Sequence, residues 1–176
     1  MLRLYTFHIS HFSEKARWAL DYAGVPFEEK VLLPGPHILV TRRVAPDTQV
    51  PLLQHDDKYV QGSGAIIDYI DQRLGGSGLT PSGADDQIEA RQRERQIDEA
   101  FGLGVQRVVY NELLQHRDIV SELWAAGGPP GAVGSMRSPI LWWPRSCAAS
   151  TRRPTPPQSL GPSSAFCAPS TISTRS

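Results

Sequence analysis

Phe7-His8-Ile9-Ser10-His11-Phe12-Ser13-Glu14-Lys15-Ala16-Arg17-Trp18-Ala19-Leu20 is the stretch on which the fold turns. Residues 2–7 before and into it are short, apolar and aromatic, the pattern of a buried strand. Residues 10–23 follow with helical spacing: Phe12, Ala16, Ala19, Leu20 and Ala23 share one face, and Glu14, Lys15 and Asp21 point away. Gly24 stops that helix and Pro26 keeps it stopped. A hydroxyl, Ser10, therefore stands between a strand and a helix, at the positive end of the helix dipole. Two readings follow. Ser10, or Ser13, caps the helix, or Ser10 presents its hydroxyl to an anion such as a thiolate, whose pKa would fall there.

Working outward, residues 27–33 read as a second strand, Pro34-Gly35-Pro36 as a turn, and residues 38–44 as a short helix or irregular segment. Residues 50–54 and 58–61 are two further strands joined by a tight turn at Asp56-Asp57. Ser63 is then placed to cap a helix over residues 64–74, with Ile66, Ile67 and Ile70 on its buried side. The order βαβαββα implies a mixed four-stranded sheet with helices on its faces. Residues 75–83 (GGSGLTPSG) have the composition of a linker. From Ala84 the chain becomes charged and helical to about residue 115, although Gly102 and Gly104 weaken that pattern, and a second helix is expected over 118–126. The run Arg91, Arg93, Arg95 with Glu94 and Asp98 reads as a solvated helix face.

Net charge is zero, as a sum of unlike parts. All 18 acids lie at or before Glu122, against 13 Lys and Arg up to residue 131, and the remainder holds five Arg and no acid. An acidic body of this kind does not suggest a nucleic-acid partner. The amino terminus lacks the pattern of a signal peptide, and no apolar run is long enough to span a membrane, so a cytoplasmic protein is expected. The only cysteines are Cys147 and Cys167, which excludes a thiolate metal site, a disulfide or a Cys-x-x-Cys pair before them. Residues 127–176 are rich in Pro, Ser, Arg, Ala and Thr, with Leu141-Trp142-Trp143 the one apolar cluster. That composition predicts a disordered tail, or one translated out of frame.

Two more features bear on chemistry. Val50-Pro51 opens a strand where proline belongs only at a first or edge position. A cis bond there would turn the Val50 backbone toward a peptide-like ligand, whereas the trans form is the ordinary one. Gln61-Gly62-Ser63-Gly64 places the Ser63 hydroxyl and a helix N-terminus where they could hold one carboxylate, or where Ser63 is a plain cap.

With these motifs in this order, the chain resembles the glutathione S-transferase superfamily over residues 2–126, specifically over 4–74. The resemblance implies a thioredoxin-like α/β domain at residues 1–76, a linker at 77–83, a partial all-α domain at 84–126 and the tail at 127–176. Ser10, seven residues before Arg17, matches the catalytic serine of the Ser-type classes. Thr6 stands where Tyr-type classes carry tyrosine. Val50-Pro51 matches the cis-proline motif that pairs with the cysteinyl backbone of glutathione, and Ser63 matches the serine that holds its γ-glutamyl carboxylate. Gly62 stands where the family usually has an acid or Gln, with Gln61 one residue earlier. Ala45-Pro46-Asp47-Thr48 replaces the usual Asn-Pro-x-Gly. Gln61, Gly62 and His37 join the expected glutathione contacts, His37 at the glycyl end or else as a solvated loop residue. His8 and His11, flanking Ser10, read as loop residues. Phe101, Val105 and Tyr110 would line the electrophile site, or belong to the helical core. The implied activity is attack of the glutathione thiolate on a small electrophile, with no metal or further cofactor and with a homodimer as the family's usual assembly. The alternative is a catalytically weak binding or structural module. The cysteine positions argue strongly against a third reading, a disulfide oxidoreductase.

Overall fold

The computed structural model describes residues 1–75, 78–128 and 130–131. The tail expectation, with both cysteines and Leu141-Trp142-Trp143, lies outside them. Four strands form one sheet in the order β2-β1-β3-β4. β1 (Leu2–Thr6) runs parallel to β2 (Glu28–Val31) and antiparallel to β3 (Leu52–His55), which pairs antiparallel with β4 (Lys58–Gln61). The register sets Leu4 opposite Leu53 and Leu53 opposite Val60. Asp56 takes a positive φ of 52° in the β3–β4 turn, a conformation short polar side chains tolerate.

Two helices, α1 (His11–Tyr22) and α3 (Ser63–Arg73), pack on each other over this sheet. Leu4, Ala16, Ala19, Leu20, Leu53, Ile66 and Ile70 form the core between them, with Ile67 partly buried at its margin. The apolar spacing of both segments thus produces the expected layer: each helix buries one stripe against the sheet. α2 (His37–Thr41) is a single short helix, closed by the buried Thr41 hydroxyl donating to the His37 carbonyl.

The helical part begins with α4 (Ala84–Ile97). It continues through a π-helical turn (Asp98–Gly102) into α5 (Leu103–Leu113), and α6 (Arg117–Ala125) follows. The predicted long helix is therefore continuous in path but widened at the residue where glycine appears. π turns are rare and local, and this one is explained by what it touches. A Cβ on Gly102 would lie 2.7 Å from the Phe12 ring, so the two elements meet here as closely as a bare backbone permits.

That contact corrects the reading of α1. Phe12 is not part of the sheet-facing stripe; it is turned to Gly102, and His11 stacks on it with ring centroids 4.1 Å apart. Lys15 does not point into solvent either. It donates to both Asp98 carboxylate oxygens (3.0 and 2.7 Å) and lies 2.8 Å from Glu94. Arg91 pairs with Asp68 of α3 and with Glu94 at 3.2 Å, and donates to Thr80 at 2.8 Å. Arg91 and Glu94 side chains are only 22% and 18% exposed, so this part of α4 is an ionic seam against α1 and α3 and not a solvated face. Arg93, paired with Glu89 four residues earlier, does face water.

Candidate active site

The loop after β1 brings Ser10 to the start of α1 with extended backbone (φ −84°, ψ 118°). Its carbonyl accepts the first helical bond, from Glu14 N at 2.9 Å, and its Oγ accepts from Ser13 N at 3.2 Å. Ser10 is thus the N-cap. Capping uses a lone pair, however, and a hydroxyl has one donor besides its two lone pairs. The Ser10 O–H remains able to donate, at a helix end whose first amides are oriented the same way. Ser13 is fully buried and accepts from Phe7 N at 3.3 Å, which ties the loop back onto the helix it precedes.

Thr6 is engaged elsewhere. Its buried hydroxyl donates to Glu29 Oε1 at 2.6 Å, and Arg17 binds the same carboxylate through Nε (3.2 Å) and a terminal nitrogen (2.5 Å). Burial pushes the Glu29 carboxyl up, but the bonds from Arg17 and Thr6 outweigh it and hold the pKa below the usual range. Arg17, which marks the motif in sequence, therefore acts as a strut between α1, β1 and β2.

Across the sheet, the Val50–Pro51 peptide is cis, as the motif implied. Among the described residues no partner bonds the Val50 amide or carbonyl, while the Pro51 carbonyl accepts from Gly62 N at 2.9 Å. Ser63 is buried at 5% exposure. It is the first residue inside α3 and not its cap; Gly62 takes the cap position with φ 93° and ψ 143°, a region open to glycine alone. Gly62 is therefore a conformational requirement of this turn, where a side chain was expected.

Gln61 is turned to the protein itself. Its Oε1 accepts from Asp47 N (3.1 Å), and its Nε2 donates to the carbonyls of Asp47 (2.9 Å) and Gln49 (2.8 Å). His37 is no solvated loop residue. It begins α2, its Nδ1 accepts from Gly35 N at 2.9 Å, and its ring meets Phe7 edge-on at 4.8 Å. Burial lowers its pKa, against weaker opposing bonds to the Leu33 and Thr48 backbone, which favours the neutral ring. Sequence reasoning had no signal for these two roles, because both depend on loops that approach only in three dimensions.

The expected electrophile residues divide. Phe101 and Val105 are 70% and 48% exposed, so neither is core. Tyr110 packs edge-on against Trp124 of α6, with centroids 6.3 Å apart. Through Gly102, the segment carrying Phe101 and Val105 adjoins His11 and Phe12, directly after Ser10. A Cβ on Gly127, which has φ +72°, would lie 3.1 Å from Val31 and 3.5 Å from His8. A cleft of about 750 Å³ between α3 and α4 is a different place: Asp68, Thr80 and Arg91 line it, and Ser10, Val50 and Ser63 do not. No helix among the described residues is long and apolar enough to cross a membrane.

Parts of this chain are similar to known proteins. Residues 4–78 match the family model described as glutathione S-transferase, N-terminal domain. A glutathione S-transferase of Pseudomonas putida is 31% identical over 100 residues, which are 56% of this chain and 44% of that protein. Glutathione S-transferase U2 of Arabidopsis thaliana is 31% identical over 99 residues, with the same coverage. The chain thus spans less than half the length of these relatives. Among solved structures, the fold is shared with the β-etherase LigF of a Sphingobium strain (TM-score 0.59, 23% identity, covering 86% of this chain and 61% of that one). It is shared also with a glutathione S-transferase of Methylobacterium radiotolerans crystallised with glutathione sulfonate (TM-score 0.54, 22% identity, covering 85% and 63%). Over residues 4–78, then, this chain is similar to the N-terminal domain of glutathione S-transferases.

Proposed function

We propose that the chain binds glutathione in the corner between Ser10, Val50 and Ser63, and conjugates its thiolate to a small electrophile. The observation that carries this reading is the Ser10 hydroxyl, which accepts from Ser13 N and keeps its proton to donate at the N-terminus of α1. A sulfur held there would be stabilised as thiolate, by the hydrogen bond and by the helix end. The γ-glutamyl carboxylate would lie at Ser63 and the first turn of α3. The cysteinyl backbone would pair with the open amide and carbonyl of Val50. His37, already bonded through Nδ1, would face the glycyl end. Residues 1–76 then act as the glutathione-binding domain and 84–126 as a partial helical domain behind the 77–83 linker. No metal or further cofactor enters the scheme. A cytoplasmic setting suits it, since reduced thiols persist there, and Ile88, Ile97 and Val108, all exposed, offer apolar surface for a homodimer.

A second reading is a glutathione-binding module without efficient turnover. The exposure of Phe101 and Val105 favours it, because an open electrophile wall neither orients the second substrate nor excludes water. Calorimetric titration with glutathione, followed by turnover of a chlorinated aromatic, decides between them. Binding with turnover supports conjugation, binding without turnover supports the module, and no binding by the folded chain refutes both. Ser63→Ala should raise the glutathione KM with little change in kcat, because that contact exists in ground and transition states alike. A collapse of kcat at unchanged KM would remove Ser63 from the anchoring role.

A further inference from the structure

Gln61, Gly62 and Ser63 are consecutive, and each does a different thing. Gly62 N holds the Pro51 carbonyl at 2.9 Å. Gln61 holds the Asp47 amide, the Asp47 carbonyl and the Gln49 carbonyl at 3.1, 2.9 and 2.8 Å. The carboxamide orientation is fixed by its partners: exchanging O and N would set an acceptor against two carbonyls and a donor against an N–H. Residues 49 and 51 are thereby pinned by residues 61 and 62, and Val50, with its open backbone groups, lies between the two pinned points. The segment leading into it, Ala45-Pro46-Asp47-Thr48-Gln49, is otherwise a loop between α2 and β3.

We propose that Gln61 is a positioning residue that sets Val50 for the cysteinyl backbone of glutathione, in register with Ser63 two residues further on. This rests on the glutathione-binding reading above. A side chain expected to touch the ligand instead holds the loop that touches it. The chemistry demands a carboxamide: one group must accept from an amide and donate to two carbonyls within a single planar unit, which neither a carboxylate nor a hydrocarbon can do. Loss of the clamp lets residues 47–50 sample other conformations, and the ligand must then order them on binding.

The test uses the full chain with Gln61→Leu and Gln61→Glu, read by glutathione titration and by amide hydrogen exchange over residues 47–50. Both variants should bind glutathione roughly tenfold more weakly, the effect of losing about one net hydrogen bond's worth of preorganisation. Exchange over 47–50 should speed up, while kcat at saturating glutathione changes little. Gln61→Glu matches glutamine in size, so a merely space-filling role would leave it at wild-type affinity. Three results overturn the inference alone: wild-type affinity in both variants, faster exchange without weaker binding, or weaker binding without faster exchange, the last of which would mark a direct contact. Failure of the wild-type chain to bind glutathione overturns the functional reading, and this inference with it. If Gln61→Leu fails to fold, Gln61→Glu, which retains the acceptor for the Asp47 amide, carries the same comparison.

Discussion

At Ser10, the two readings that the sequence sets against each other are compatible within one side chain. As a cap it accepts from Ser13 N at 3.2 Å, and as the proposed thiol activator it donates through the hydrogen that capping leaves unused. Ser10→Ala should therefore lose two separable quantities. Stability should fall by about 1 kcal/mol from the missing cap. Transition-state stabilisation should fall by about 2–4 kcal/mol, which is roughly 30- to 1000-fold in kcat/KM. Chemical denaturation reads the first and turnover of a chlorinated aromatic reads the second. Lower stability with unchanged kcat/KM would leave Ser10 a cap and nothing more. Thr6 and Arg17 carry the opposite lesson. The motif flagged both positions, but only the approach of Glu29 from the neighbouring strand reveals that they meet on one carboxylate.

Among the elements, the start of α3 departs most from expectation. The sequence offers serine as the obvious cap, and the polypeptide instead caps with Gly62 at φ 93°. The physical reason is the preceding clamp. With Gln61 held to the loop and Gly62 N to Pro51, the chain passes from β4 to α3 through the single residue Gly62, whose dihedral glycine alone reaches readily. A Cβ at Gly62 would meet nothing within 4 Å, so the penalty for Gly62→Ala is backbone strain alone, about 1–3 kcal/mol. Urea denaturation should show that loss together with weaker glutathione binding, because the strain is relieved by moving Ser63. A variant as stable as the wild type would show that the turn has an alternative geometry. The π turn at Asp98–Gly102 is the other element-scale feature. It brings Asp98 to Lys15 and Gly102 to Phe12 at once, two contacts on one face of α1.

At the scale of the whole molecule, a cluster of charges joins the sheet domain to the helices. Lys15 of α1 faces Glu94 and Asp98, and Arg91 faces Asp68 and Glu94. Glu94 lies against the first turn of α3, its Oε1 being 3.3 Å from where a Gly64 Cβ would stand. That oxygen is buried and lies 2.8 Å from Lys15 Nζ. Burial raises the Glu94 pKa, and the bonds and charges of Lys15 and Arg91 outweigh it and lower the pKa overall. A carboxyl depressed in the folded state contributes stability that is complete above its unfolded pKa and is lost as pH falls through the folded one. Glu29 behaves likewise. Stability should therefore decline as pH drops below the ordinary carboxylate range. Lys15→Met, which leaves Glu94 and Asp98 facing each other, should destabilise the neutral-pH protein by about 1–3 kcal/mol and flatten that acid limb. Denaturation midpoints across pH test it; parallel profiles for variant and wild type would remove Lys15 from the linkage.

Local order made much of this protein readable from its residues. Apolar spacing located the sheet and both covering helices, since a stripe that must be buried repeats with the period of the element that carries it. Ser10, Val50-Pro51 and Ser63 were readable because each lies at an element boundary, where turn and cap chemistry restricts residue type. Tertiary structure alone decided which polar side chains turn inward. Lys15, Arg91, Glu94 and Gln61 have the composition of a solvated surface, and nothing along the chain announces that α4 will cover α1 or that residues 47–49 will cross the end of β4. Apart from the Arg91–Glu94 and Arg91–Thr80 contacts, 3 and 11 residues apart, their hydrogen-bond partners lie between 12 and 83 residues away in sequence. Hydrogen bonds and ion pairs at that separation carry no periodic signature. They arise only once burial of the apolar stripes has brought the segments together.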